Sequence, residues 1–214
     1  CQRNAGLGMP AARRGTGMSH VVEVRLPPTD ARGYDVVVGT ELPAEVAAQL
    51  QRLGTPSRWL VVSDANVAPL YAEPLARALG ETGTCVSHFE VPPGEASKSR
   101  SQAAELQDRM LADGASRDAW VVAVGGGMVG DLAGYVAATL LRGLSWVQVP
   151  TSLLAMVDSS VGGKTGVDTR AGKNLVGAFH QPRRVMVDVR ALDTLPGPEL
   201  AAGLAEVIKY AVIL

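Results

Sequence analysis

Only two cysteines, Cys1 and Cys85, occur in 214 residues. One pair cannot build a disulfide framework, and two thiolates are too few for a zinc cluster, so a reducing, cytoplasmic setting is expected. Extended basic runs are also missing. The 20 basic residues face 21 acidic ones, the formal net charge is −1 and the sequence pI is near 6.4. That balance argues against nucleic acid as the main partner. Long apolar runs are absent too. Residues 128–150 are rich in apolar side chains, but Asp131 and Arg142 interrupt them, whereas a membrane span needs ~20 uninterrupted apolar residues. No membrane partner is expected. The opening segment CQRNAGLGMPAARRGTG carries charge without the apolar core of a signal peptide. A disordered leader over residues 1–18 is expected, with Met18 as a start.

What the chain does have is a hydrophobic fraction of 47%, sufficient for a substantial core, and a regular alternation of strand-like and helix-like segments. Residues 21–26 (VVEVRL) and 34–39 (YDVVVG) alternate in polarity and predict an opening antiparallel pair. Helices are predicted over 41–53, 68–79, 99–111 and 129–141, and strands over 59–64, 84–91, 119–127 and 145–150. The strands read as near-continuous apolar runs, as strands buried on both faces require. The alternation implies an α/β fold with a mostly parallel sheet and right-handed crossovers. A last helical pattern starts at Pro198 and stops on Ile213 and Leu214 without a glycine, proline or polar cap. The expected division is a leader over 1–18, an α/β domain over 19–197, and over 198–214 the first helix of an all-α domain that is cut short.

Two glycine clusters suggest phosphate chemistry. Gly125, Gly127 and Gly130 fit G-x-G-x-x-G between a predicted strand and helix. There glycines let backbone approach a pyrophosphate at a helix N-terminus, whose free N–H groups attract anions. The acidic ribose partner expected ~20 residues on is missing, because Val149, Pro150 and Thr151 occupy that zone. A tight, closely packed strand–helix turn is the alternative. The second cluster, GGKTG at 162–166, lacks the leading glycine of a nucleoside-triphosphate loop; Asp158 stands there instead, and its charge would repel a triphosphate.

Between residues 142 and 182, Arg142, Asp158, Lys164, Lys173 and Asn174 are scattered among glycines and small residues. Lysine and arginine can clamp a phosphate and a carboxylate by charge-assisted hydrogen bonds. Asn174 can orient a hydroxyl, and Asp158 can accept a hydrogen bond from a polyol. The plainer alternative pairs Asp158 with Lys164 and has Arg142 covering the preceding helix end. Near the C-terminus, Glu206 and Lys209 stand three apart, the spacing of a helical ion pair. Glu206 as a metal ligand is the other reading. The three histidines, His20, His88 and His180, show no ligand spacing with it.

Five segments together carry a specific resemblance: PGEASK, GGGMVGD, QVPTSLLAMVDSSVGGKTGVD, GKNLVGAFHQP and GLAEVIKY, in that order. With them the chain resembles the 3-dehydroquinate synthase family of sugar-phosphate cyclases over most of residues 21–214. The resemblance implies an N-terminal Rossmann-like domain that binds NAD, a C-terminal helical domain, and an active site between them. It implies that Asp64 and Asn66 lie near the adenosine end of NAD. Pro93, Gly94, Glu95, Ala96, Ser97 and Lys98 would line the rest, with Gly125, Gly126, Gly127, Met128, Val129, Gly130 and Asp131. Thr151, Ser152, Lys164, Lys173 and Thr194 would add cofactor contacts. Arg142, Asp158, Lys164, Lys173, Asn174 and Lys209 would serve substrate, and Glu206 would bind zinc or cobalt, the other ligands lying beyond this sequence.

The implied reaction converts 3-deoxy-D-arabino-heptulosonate 7-phosphate to 3-dehydroquinate and phosphate, a step of the shikimate pathway towards aromatic amino acids. It passes through transient oxidation by NAD, phosphate elimination, re-reduction and intramolecular aldol closure, so the net activity is that of a carbon–oxygen lyase. The partner is a small phosphorylated sugar acid, and the resemblance leaves room for a homodimer. The 214 residues alone are expected to be inactive. Rival readings are a sister cyclase making deoxy-inosose or a valiolone, a metal-dependent polyol dehydrogenase, and a nucleotide-binding module without chemistry.

Overall fold

The computed structural model describes residues 20–24, 33–40 and 43–213. The expected leader lies outside them. Strands β1 (His20–Val24), β2 (Tyr34–Gly39), β3 (Arg58–Asp64), β4 (Cys85–Val91), β5 (Trp120–Gly125), β6 (Ser145–Pro150) and β9 (Arg184–Asp188) form one sheet in the order β1-β2-β9-β6-β5-β3-β4. The β1–β2 pair is antiparallel and the other neighbours run parallel. Central strands β3, β5 and β6 are buried nearly throughout, which accounts for their unbroken apolar runs.

Helices cover both faces. On one, α1 (Ala44–Leu53) and α2 (Glu73–Gly80) pack Leu50, Leu75 and Leu79 against Trp59, Val61 and Val122. On the other, α3 (Arg100–Ala112) and α4 (Gly127–Thr139) pack Leu106, Met110, Leu132 and Val136 against Leu60, Val121 and Trp146. Ser99 caps α3 by accepting from the Gln102 N–H at 3.2 Å. The predicted helix near 68–79 is split: a π-helical turn at Ala68–Ala72 leads into α2. The predicted 129–141 helix starts two residues earlier, at Gly127, and ends in a tight 3-10 turn at Leu140–Arg142.

Beyond β6 the structure adds elements that were not foreseen. A π-helical turn at Ala155–Ser159 leads into a two-stranded hairpin, β7 (Lys164–Thr169) and β8 (Gly172–Phe179), before β9 completes the main sheet. The hairpin lies on α4, close enough that a Cβ on Gly134 would sit 2.5 Å from Thr165 Cγ2 and 2.8 Å from the Trp146 ring. The last helix, α5 (Gly197–Ile213), rests on the π-helical turn through Gly203, whose absent Cβ leaves room for Leu153. Its Leu204, Val207, Ile208, Val212 and Ile213 are exposed. Among the described residues no helix is long and apolar enough to cross a membrane.

β3 and β5 are adjacent although β4 intervenes in sequence. The chain therefore changes direction across the sheet here, and such a switch point opens a crevice at the carboxyl ends of the strands. The hairpin closes one side of it. Gly166 and Gly177 face each other there, and a Cβ on Gly177 would lie 2.0 Å from the Thr165 carbonyl oxygen. Backbone cannot yield as a flexible side chain can. Gly177→Ala is expected to destabilise the protein by about 2 kcal/mol, read as a lower urea midpoint; an unchanged midpoint would contradict the packing described.

Candidate active site

At the carboxyl ends of β4, β5 and β6, a cavity of about 570 Å³ lies between α4, the π-helical turn and the hairpin. Glu95, Lys98, Gly127, Asp131, Asp158, Ser159, Lys164 and Asn174 line it. The predicted cofactor and substrate residues on four separate segments therefore meet. Lys98 is the hub. Only 5% of its side chain is exposed, yet Nζ lies 3.0 Å from Glu95, 3.3 Å from Asp131 and 3.8 Å from Asp168. Burial works against its charge, but the bonds to Glu95 and Asp131 outweigh that and hold the ammonium pKa above its ordinary value. Lys173 joins the cluster from the hairpin, 3.4 Å from Glu95.

The glycine turn reaches the cavity floor at Gly127. Gly126 is the N-cap of α4 and supplies no side chain, so the first N–H groups of this 13-residue helix lack a capping partner. Gly127 lines the cavity, 3.0 Å from Ser159 Oγ measured from where its Cβ would stand. Ser159 Oγ is itself buried without a hydrogen-bond partner. Free N–H groups and an unsatisfied hydroxyl at a helix N-terminus suit a phosphate. Gly125 serves packing instead: a Cβ there would meet Val129 at 2.7 Å. Close packing, one of the two readings of the motif, therefore holds at Gly125, while Gly127 faces the cavity.

Asp158 and Lys164 pair at 3.6 Å, as the plainer reading had it, but both line the cavity and Lys164 is 59% exposed. Such a pair is worth little and exchanges readily for a ligand. Tyr210 of α5 donates to Asp158 Oδ1 at 3.3 Å and so ties the last helix to the rim. Glu206 and Lys209 bond to each other. That bond to Glu206 raises the Lys209 pKa. Among the described residues no three histidine, cysteine or acidic side chains gather as a metal would require. Glu206 offers one carboxylate, and these residues do not by themselves fit a metal site.

Two of the predicted site residues lie away from this cavity. Arg142 does not join the cluster. It follows α4 at the end opposite Gly127, exposed and at φ 69°, in the turn covering the helix terminus. Thr194 also sits elsewhere, its hydroxyl 2.6 Å from Tyr71 beside a separate small cleft that Asp188 and Arg190 line. Asp64 and Asn66 stand at the end of β3, where the Asp64 carboxylate accepts the Asn66 and Val67 N–H groups at 2.8 and 3.0 Å. Residues missed from sequence are Thr165, Asp168 and Phe179. The only available signal was the GVDTRAGK stretch, whose two-residue turn, Arg170 and Ala171, closes the hairpin.

An open α/β sheet with a phosphate-suited helix end at its switch point defines a Rossmann-like protein. Residues 88–202, just over half the chain, match the family profile described as 3-dehydroquinate synthase N-terminal, and the chain belongs to that family. It is 56% identical over 181 residues to a 3-dehydroquinate synthase of Symbiobacterium thermophilum, covering 84% of this chain and 51% of that protein. A 2-deoxy-scyllo-inosose synthase crystallised with carbaglucose-6-phosphate, NAD+ and Co2+ superposes with TM-score 0.80 at 31% identity, over 88% of this chain and 50% of the other. The 2-epi-5-epi-valiolone synthase of Streptomyces hygroscopicus, with NAD+ and Zn2+ bound, gives 0.74 at 35%, over 86% and 51%. The chain thus spans about half the length of the relatives it matches.

Asp131 carries a measurable consequence of this geometry. Burial raises its pKa to about 6, despite the opposing charge of Lys98. A carboxyl whose folded pKa exceeds the unfolded value stabilises the fold fully below the unfolded value and loses that contribution as pH rises through the folded one. Between pH 4 and 6 the parent protein should therefore lose stability relative to Asp131→Asn, in paired urea titrations. A difference independent of pH would contradict the burial described.

Proposed function

We propose that this chain is the cofactor-binding half of a 3-dehydroquinate synthase, which converts 3-deoxy-D-arabino-heptulosonate 7-phosphate to 3-dehydroquinate and phosphate. The observation that carries the reading is the meeting of Lys98, Lys164 and Asn174 with the open N-terminus of α4 on one cavity. A substrate bearing both a phosphate and a carboxylate needs such a set of donors. The identity of 56% to a 3-dehydroquinate synthase, against 31% and 35% to the two sister cyclases, supports this member of the superfamily over those.

NAD fits the cavity floor, where the first-turn N–H groups of α4 and the Ser159 hydroxyl would receive its phosphates. When bound it supplies a hydride acceptor that the reaction returns to its starting state. The protein's own groups do the rest. Lys98, held by three carboxylates, keeps a fixed positive charge beside the site. Lys164 exchanges Asp158 for the substrate phosphate and offsets its charge as it leaves, while Asn174 orients a hydroxyl. Asp131, with a pKa of about 6, can hold or release a proton near neutrality.

Glu206 would contribute one metal ligand, with the others coming from the part of the relatives that this chain does not span. The α5 helix would open that helical unit, the 214 residues alone being inactive. The same reading makes the enzyme cytoplasmic and allows a homodimer.

In the enzyme comprising both halves, Lys164→Ala should lower phosphate release by about 100-fold, the scale seen when one donor to developing charge is removed. Its circular dichroism should stay unchanged; near-normal turnover would remove Lys164 from the site. Glu206→Gln should lower the zinc or cobalt content per chain, measured by elemental analysis, and undiminished metal would count against its role.

A further inference from the structure

Asp168 has entered so far only as the third and most distant carboxylate around Lys98, yet it touches two of the groups that line the cavity. Between the pairs Val167↔Val176 and Thr169↔Gly172, β7 supplies the single residue Asp168 while β8 supplies residues 173–175. This is a bulge, and bulges re-aim side chains beside active sites. Within it Asn174 adopts φ 57°, the left-handed region that asparagine tolerates better than most residues but still at a cost. The Asp168 carboxylate meets that cost: Oδ1 accepts the Asn174 N–H at 2.8 Å. The same oxygen lies 3.8 Å from Lys98 Nζ. Asp168 is also fastened through its backbone, its N–H donating to the Lys98 carbonyl at 2.7 Å and pairing in parallel register with Ser99.

We propose that Asp168 is a positioning residue: its carboxylate fixes the left-handed Asn174 of the hairpin and the buried Lys98 of the α/β body in one shared arrangement. Asn174 and Lys98 come from elements that are otherwise far apart in sequence, and a cavity between them keeps its shape only if hairpin and body stay in register. A lock confined to the bulge would need only an acceptor. The second contact, to a cation, is what makes the charge of Asp168 matter. That this arrangement serves a phosphate-bearing ligand rests on the function proposed above; the lock itself does not.

The test therefore needs no ligand and separates the two contacts. In the 214-residue chain, Asp168→Ala removes both, whereas the isosteric Asp168→Asn keeps an oxygen acceptor and removes the charge. Solvent exchange of the Asn174 amide, followed by NMR, should quicken about five-fold in the alanine variant, the loss of one hydrogen bond, and return to the parent rate in the asparagine variant. Carboxyl NMR of Asp131 should show its pKa falling below the parent value of about 6 in both variants, because Lys98 then has one fewer competing carboxylate. Parent-like Asn174 exchange in the alanine variant, or an unmoved Asp131 pKa in the asparagine variant, would overturn the proposal. If the alanine variant does not fold, the asparagine variant alone decides: a parent-like Asn174 rate with a lowered Asp131 pKa upholds it, and any other result ends it.

Discussion

An ammonium group removed from water costs several kcal/mol unless carboxylates and hydrogen bonds replace its hydration. Lys98 is buried to 5% exposure and meets that requirement with Glu95, Asp131 and Asp168. These three carboxylates come from the loop after β4, from α4 and from the hairpin strand β7. Satisfying one charge thus joins three pieces of chain around one cavity. The remaining positions follow from that junction: Lys173 reaches Glu95, Asn174 is held over the cavity, and Asp131 stays secluded enough to ionise late.

The helix α4 is the second structural condition. Its buried face depends on small residues, since Gly130 and Gly134 allow Gln148, Trp146 and Thr165 to approach closely. This packing brings β6 and the hairpin against one helix, whose N-terminus then opens into the space they enclose. Apolar burial and anion attraction are therefore performed by opposite ends of one short motif. The exposed Lys164–Asp158 pair, with α5 tied to it through Tyr210, is the looser side of the cavity. Fixed charge lies deep and exchangeable charge at the rim.

Much of the α/β body was legible because each central strand is covered on both faces and therefore reads as an apolar run. Residues 145–150 were anticipated to the residue, and the glycine turn fell between strand and helix as its spacing implied. The hairpin was not legible. Its strand β8 is largely exposed, and glycines replace side chains whose alternation would have marked the pair. For the site, the residue types around Lys98, Lys164 and Asn174 pointed to side chains that the fold does bring to one cavity. Proximity in sequence did not reveal that Arg142 lies at the far end of the 13-residue α4 from the glycine turn. Asp168 escaped notice because its importance comes from a bulge, which no local pattern announced.

The account depends on the glycine turn, Lys98 and Asn174 sharing one ligand-bearing cavity. The most direct measurement is an NMR titration of the isotope-labelled chain with NAD+. The account predicts saturable shifts in the amides of Gly127, Met128 and Val129 and in the signals of Lys98 and Ser159, which line or adjoin the cavity floor. Saturable shifts confined to other surfaces, with these five residues unmoved, would contradict it.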